Sequence, residues 1–188
     1  GIPTVGNVHQ VAQAALPEAR VVYVDIDPVA VAHSRAILDG NPRADIVQAE
    51  LSDVDGILGD PRAGRLLDLS QPIGVLMVAL LHFVPDEADP AKIVAMYRDI
   101  MVPGSHFVLS HASYEGRPDL VDSHAELYRR TPTPMTMRSR SQIQAMLDGF
   151  EVVPPGVVFL PLWRPESPAD VGEHPERTTG YAAVGRRG

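Results

Sequence analysis

Residues Val21 to Pro28 read Val-Val-Tyr-Val-Asp-Ile-Asp-Pro, which sets a short apolar, β-branched strand directly before a carboxylate, Asp25. Two residues later Asp27-Pro28 has the form of a helix start, with aspartate as N-cap and proline at the first helical position. Upstream lie a helical pattern from Val8 to Leu16 and an opening Gly1-Ile-Pro-Thr4. A glycine turn, a helix, a strand and an acid at the strand tip form the order in which α/β folds hold the ribose of an adenosine cofactor. The carboxylate accepts both sugar hydroxyls, and the glycine turn lets the backbone approach the ligand. The plainer readings are a loop acid for Asp25 and an ordinary cap for Asp27.

Other residues with chemical potential follow later strands. Ala79 to His82 ends an apolar run from Ile73, at the strand edge where doubly wound sheets bind ligands. His111 follows the next strand on the same edge and reads as a structural histidine or one lining the substrate side. Tyr114, Tyr128 and the single tryptophan, Trp163, fall where substrate-covering elements could lie. No histidine and carboxylate share metal-ligand spacing, and His9, His33 and His124 sit on helical patterns without an i+4 histidine, so no metal is expected. Gly-x-Ser-x-Gly and Walker-type loops are absent. The Tyr-x-x-x-Lys pair of a nicotinamide reductase is absent too, since the only lysine, Lys92, has no tyrosine four residues before it.

The elements that must carry these residues alternate between helix and strand, as in a parallel α/β sheet. The pattern predicts a helix over Asn7–Leu16, a strand over Val21–Val24, a helix over Pro28–Leu38 stopped by Asp39-Gly40-Asn41-Pro42, and a strand over Ala44–Gln48. A helical turn follows over Asp53–Leu58. Ile73–Ala79 is apolar without alternation, the form of a central strand buried on both faces. Asp89-Pro90 starts a helix running to about Met101, with Ile93, Val94, Tyr97, Ile100 and Met101 on one stripe. Val102-Pro103-Gly104 turns the chain into a strand over His106–Leu109. A helix is expected near Asp119–Arg130. Ser139 and Gln142 form a capping box for another, ended by Gly149. Phe150–Val153 and Val157–Leu160 read as one strand broken at Pro154-Pro155, Pro161–Thr178 as a long loop, and Tyr181–Val184 as the last strand.

Totals bound the function. The 188 residues suffice for one domain with a sizeable core, and 45% hydrophobic with 21% charged residues is ordinary for a globular chain. A net charge of -8 argues against a general nucleic-acid surface. Without cysteine there is neither a disulfide framework nor a thiolate metal site. The longest apolar run, Ile73 to Val84, is too short to span a bilayer, and no signal peptide is visible, so the expectation is a cytoplasmic protein off the membrane. One lysine against 15 arginines, with abundant Ala, Val, Pro and Gly, suggests a bacterial gene of high GC content. Oligomeric state is not legible.

The ending, a strand, a long loop and a terminal strand, resembles the closing hairpin of class I methyltransferases, whose last strand runs antiparallel into the sheet. The resemblance extends to a bacterial S-adenosylmethionine methyltransferase family, formerly a domain of unknown function. It is carried by Gly1-Ile-Pro-Thr4, Asn7-Val-His9-Gln-Val-Ala-Gln13, Ala19-Arg-Val-Val-Tyr-Val-Asp-Ile-Asp-Pro28, Leu80-Leu-His-Phe-Val-Pro-Asp86, Pro103-Gly-Ser105, Leu109-Ser-His-Ala112 and Tyr181-Ala-Ala-Val-Gly185. It implies a doubly wound, mostly parallel α/β sheet with an antiparallel C-terminal strand. It also implies S-adenosyl-L-methionine as cofactor and methyl transfer to a small molecule. The alternatives are a regulatory protein that binds the cofactor without catalysis and, further off, a nicotinamide-dependent reductase.

By the same resemblance Gly1 and Thr4 belong to the glycine loop, Asp25 holds the ribose, and Ile26 packs on the adenine face. Glu50, where most of the family would have aspartate, accepts from the adenine amino group, with Asp53 a weaker alternative, and the backbone of Leu51 reaches the ring. Ala79 lies at the cofactor edge. The segment Leu81-His-Phe-Val-Pro-Asp-Glu87 also resembles one in small-molecule O-methyltransferases whose histidine is the general base, which makes His82 the candidate catalytic residue. In many methyltransferases a histidine there only lines the cofactor pocket. Family members carry an N-terminal segment and an Asp-x-Gly-Thr-Gly strand-loop, of which Gly1 would be the last glycine. Residues 1–188 are therefore expected to be a single domain whose first strand and N-terminal segment lie before Gly1.

Overall fold

The computed structural model describes residues 6–121 and 134–188. They form two compact units, one up to Asp68 and one from Leu69 onward.

The first unit begins with helix α1 (Val8–Ala15), where Gln10 Oε1 accepts from the Asn7 N–H. Strand β1 (Val21–Asp25), helix α2 (Pro28–Leu38) and strand β2 (Ala44–Gln48) then build a β-α-β unit, β1 and β2 pairing in parallel with Asp25 opposite Gln48. Helix α2 starts where the Asp-Pro pair requires, the Asp27 carboxylate accepting from Val29 N–H at 2.8 Å. It buries Ala30, Val31, Ser34 and Leu38, one stripe of the helix. Val31 and Leu38 pack with Ala44, Ile46 and the half-buried Tyr23. Gly40 leaves the helix at φ 80°, a conformation that favours glycine. Two short helices close the unit, α3 (Val54–Gly59), capped by Asp53, and α4 (Pro61–Leu66), capped by Asp60.

In the second unit β3 (Gly74–Val78) pairs in parallel with β4 (His106–Ala112) through α5 (Pro90–Ile100). The short strands β5 (Glu151–Val152) and β6 (Val158–Phe159) and the long terminal β7 (Gly180–Arg186) complete the sheet. Strand β7 runs antiparallel to β4, β5 and β6, as the terminal-hairpin pattern implied. Phe107, Leu109, Ile143, Leu147 and Ala183 form the driest part of the core, and Phe107 stacks on Phe150 with centroids 5.5 Å apart. The capping box at Ser139 and Gln142 starts the helix Arg140–Ala145.

Three expectations change. Helix α4 was not predicted. Strand β4 runs three residues beyond Leu109, because its ladder with β7 continues to Ala112 opposite Gly180. Strand β3 is not buried on both faces: Leu76 is 46% and Val78 56% exposed, and β3 pairs only with β4 among the described residues. The predicted helix near Asp119–Arg130 falls mostly outside the described residues.

Candidate functional site

In the first unit the sequence-predicted site residues gather at the carboxyl end of the β1–β2 pair. Asp25 is the last residue of β1, and its Oδ1 accepts from Asp27 N–H at 2.9 Å, a turn that fixes the carboxylate at the strand tip. Burial works against its ionisation, and the N–H groups of Asp27 and Ile26 work for it. The backbone carries the chain from one tip to the other: Ala49 N–H donates to Asp25 O at 3.1 Å, and the Gln48 amide reaches Ile26 O at 3.5 Å. Glu50 and Leu51 therefore follow β2 beside Asp25 and Ile26.

Ile26 is 64% exposed, so it is not a core isoleucine; it offers an apolar face to solvent next to an acid. An acceptor for hydroxyls beside an exposed apolar side chain suits a ribose joined to a flat base. Glu50 is exposed and Leu51 half-buried. Asp53, the alternative to Glu50, caps α3 by accepting from Gly56 N–H at 3.0 Å. Asp27 is the plain cap of α2. Gly1 and Thr4 lie outside the described residues.

In the second unit the corresponding edge is the carboxyl end of β3 and β4. Ala79, the first residue after β3, has φ 52°, a left-handed conformation that costs a non-glycine residue about 1 kcal/mol or more. Its N–H donates to the buried Ser110 Oγ at 2.9 Å, which holds the bend. The chain then makes a short 3-10 turn, Leu81–Phe83, that turns His82 inward until only 6% is exposed. His82 Nδ1 accepts from Ala112 N–H at 3.3 Å, and its carbonyl accepts from Thr136 N–H at 2.7 Å. Its ring meets Phe83 at 4.5 Å and, edge-on, His111 at 5.6 Å.

One residue organises this edge and was not singled out in the sequence. Arg138, 4% exposed, donates to Leu81 O (3.1 Å), Val84 O (2.8 Å), Asp86 Oδ1 (2.6 Å) and His111 Nε2 (3.0 Å). It fastens the whole loop after β3 to the end of β4. Because Nε2 of His111 receives a donor that never deprotonates, its hydrogen sits on Nδ1, which donates to Ala112 O at 2.8 Å. Burial first, and the Arg138 charge with it, push the His111 pKa down to about 4. Burial and Arg138 likewise lower that of His82. Both imidazoles are neutral at pH 7.

The remaining aromatic candidates are dispersed. Trp163 lies under Arg164, whose guanidinium carbon is 4.9 Å from the ring centroid. Tyr114 is half-buried, and Tyr128 lies outside the described residues. Among the described residues no group of three or more His, Asp and Glu could hold a metal, and no helix is long and apolar enough to cross a membrane.

Parallel β-α-β units, with an antiparallel terminal strand closing the second, define an α/β fold of the class I methyltransferase type. Over all residues 1–188 the sequence matches the model of the S-adenosyl methyltransferase family, and the chain belongs to that family, whose cofactor is S-adenosylmethionine. Among solved structures it is similar to a DUF574 family protein from Streptomyces avermitilis, at 35% identity and TM-score 0.93, covering 100% of this chain and 72% of that one. It is also similar to an inferred methyltransferase from Thermobifida fusca, at 36% identity and TM-score 0.90, covering 100% and 70%. The fold is shared with a SAM-dependent methyltransferase from Methanosarcina mazei, at 14% identity and TM-score 0.63, covering 97% and 87%. No curated protein matches the sequence.

Proposed function

We propose that this protein transfers a methyl group from S-adenosylmethionine to a small molecule, in the cytoplasm and without nucleic acid or membrane as partner. The observation that carries the reading is the carboxyl edge of the β1–β2 pair, where Asp25 lies opposite Gln48 and is bonded to Ala49, so that Ile26 follows one strand and Glu50 and Leu51 the other. In this assignment Asp25 accepts the ribose hydroxyls, Ile26 covers one face of the adenine, Glu50 accepts from its amino group, and the Leu51 backbone reaches the ring. Gly1 and Thr4 are assigned to cofactor binding, as the family resemblance implies.

Ala79 is assigned to the cofactor edge and His82 to the acceptor. Bound there, the cofactor supplies an activated methyl group on a sulfonium. The residues orient the acceptor and keep water away, and in-line displacement asks little more of a protein. Residues 1–188 are assigned to one cofactor-binding domain.

The second reading, a regulatory protein that binds the cofactor without turnover, is favoured by the lack of an unambiguous proton acceptor at the second edge among the described residues. Incubating the purified full-length protein with a metabolite extract and methyl-labelled cofactor separates the two. Label in a small product supports the enzyme; binding of the cofactor with no labelled product supports the regulator.

A further inference from the structure

We infer that His82 serves as a neutral hydrogen-bond donor, through Nε2, to an anionic oxygen of the methyl acceptor, and does not take the acceptor's proton. The inference rests on the proposed placement of the acceptor at the end of β3, and it departs from the general-base role that the sequence resemblance implies.

The argument begins at the other nitrogen. Nδ1 faces the Ala112 N–H at 3.3 Å and can only accept there; a hydrogen on Nδ1 would set donor against donor. A neutral imidazole has one donor and one acceptor nitrogen, so Nε2 carries the hydrogen. The doubly protonated form is disfavoured by burial and by the Arg138 guanidinium. The charged and titratable groups around the ring agree. His111, edge-on at 5.6 Å, is itself held neutral, and the Asp86 carboxylate that could offset a positive charge is engaged by Arg138.

The frame is rigid. The His82 carbonyl is bonded to Thr136 N–H, and the flanking Leu81 and Val84 carbonyls are bonded to Arg138. Nε2 has no hydrogen-bond partner among the described residues. Nor is it one of the side-chain nitrogens sealed away without a partner, which are Trp163 Nε1 and Arg187 Nε. It is thus a fixed donor on a ring that is more than nine-tenths buried.

A base must meet its proton with a lone pair, and Nε2–H has none to offer. The acceptor that suits such a site brings its nucleophile already ionised: a carboxylate, or a phenol or enol acidic enough to be an anion at neutral pH. Its oxygen lone pair then forms the new O–C bond while the S–C bond breaks and its electron pair stays on sulfur, so no proton has to leave.

The test is a two-bond ¹H–¹⁵N correlation spectrum of the full-length protein labelled at histidine nitrogens, recorded from about pH 6 to pH 8. His82 is assigned by the signals lost in His82→Gln or His82→Phe. The expected result is a neutral Nε2–H ring across the range. A neutral Nδ1–H ring, or an imidazolium forming near the ordinary histidine pKa of about 6.5, overturns the inference. This readout needs neither cofactor nor turnover, so it stands if the enzyme reading fails in the labelling assay. Where turnover is found, His82→Gln, whose amide can donate from near the Nε2 position, should keep activity within roughly tenfold, with His82→Phe far lower. A fall of about 100-fold or more in both, the usual loss of a general base, counts against the inference.

Discussion

Replacing Arg138 with methionine tests whether a single buried guanidinium holds the histidine edge together. Methionine keeps most of the volume and removes every donor. Two backbone carbonyls, Leu81 O and Val84 O, and the acceptor nitrogen of His111 lose their partner. A buried acceptor left without a donor costs about 1–3 kcal/mol. If water reaches one of the three and two stay dry, the loss is about 3 kcal/mol, roughly 100-fold in the unfolding constant. The ion pair is the smaller part: the Arg138 side chain is 3% exposed but that of Asp86 is 68% exposed, so water screens the carboxylate and leaves its share near a surface pair's value of about 0–1 kcal/mol, and an asparagine oxygen could still accept from the guanidinium. Asp86→Asn should therefore cost less than about 1 kcal/mol while Arg138→Met costs about 3 kcal/mol. Urea titrations followed by fluorescence of the single tryptophan, Trp163, report on the same unit as both substitutions. Equal losses in the two variants, or a loss below about 1 kcal/mol for Arg138→Met, would show that the guanidinium is held only by its surface carboxylate.

Other perturbations follow from the same contacts. Asp25→Ala should weaken S-adenosylhomocysteine binding by roughly 10- to 100-fold, the worth of about 1.5–3 kcal/mol of hydrogen bonds to an ionised acceptor; an unchanged dissociation constant in a folded variant would make Asp25 a loop acid. His111 has a folded pKa of about 4, below its unfolded value of about 6.5, so its contribution is fully present above about pH 6.5 and is lost as pH falls towards 4. The lost contribution is about 3 kcal/mol, and the non-titrating His111→Asn should show a flatter stability profile in denaturant titrations over that window; an identical profile would assign the acid sensitivity elsewhere. Asp27→Ala removes the α2 cap and should cost about 1 kcal/mol by the same titrations, while Asp27→Ser should restore most of it.

Much of this architecture was legible where a local signal has a local cause. Asp-Pro marks the starts of α2 and α5 because the cap and the missing N–H act within one turn, and Ser139 with Gln142 marks the start of the next helix in the same way. Asp60-Pro61 gives the same signal for α4, but that helix buries only Ala63 and Leu66 between arginines and a glycine, too short a stripe to read as periodic. The apolar composition of β3 predicted burial that its open side does not supply among the described residues. Asp25, Ile26 and Glu50 could be placed at strand tips because strand ends are readable. Arg138 could not: it is one of 15 arginines, and its partners lie 27 to 57 residues away in sequence. Its one trace was Asp86, the last residue of the Leu80–Asp86 motif. The tautomer of His82 depends on Ala112, 30 residues on, and only the folded ladder shows it.

The most direct test of the central claim is isothermal titration of the full-length protein with S-adenosylhomocysteine and, separately, with NAD. The account predicts saturable binding of S-adenosylhomocysteine, weakened in Asp25→Ala, and no heat of binding from NAD. Binding of NAD with none of S-adenosylhomocysteine would contradict it.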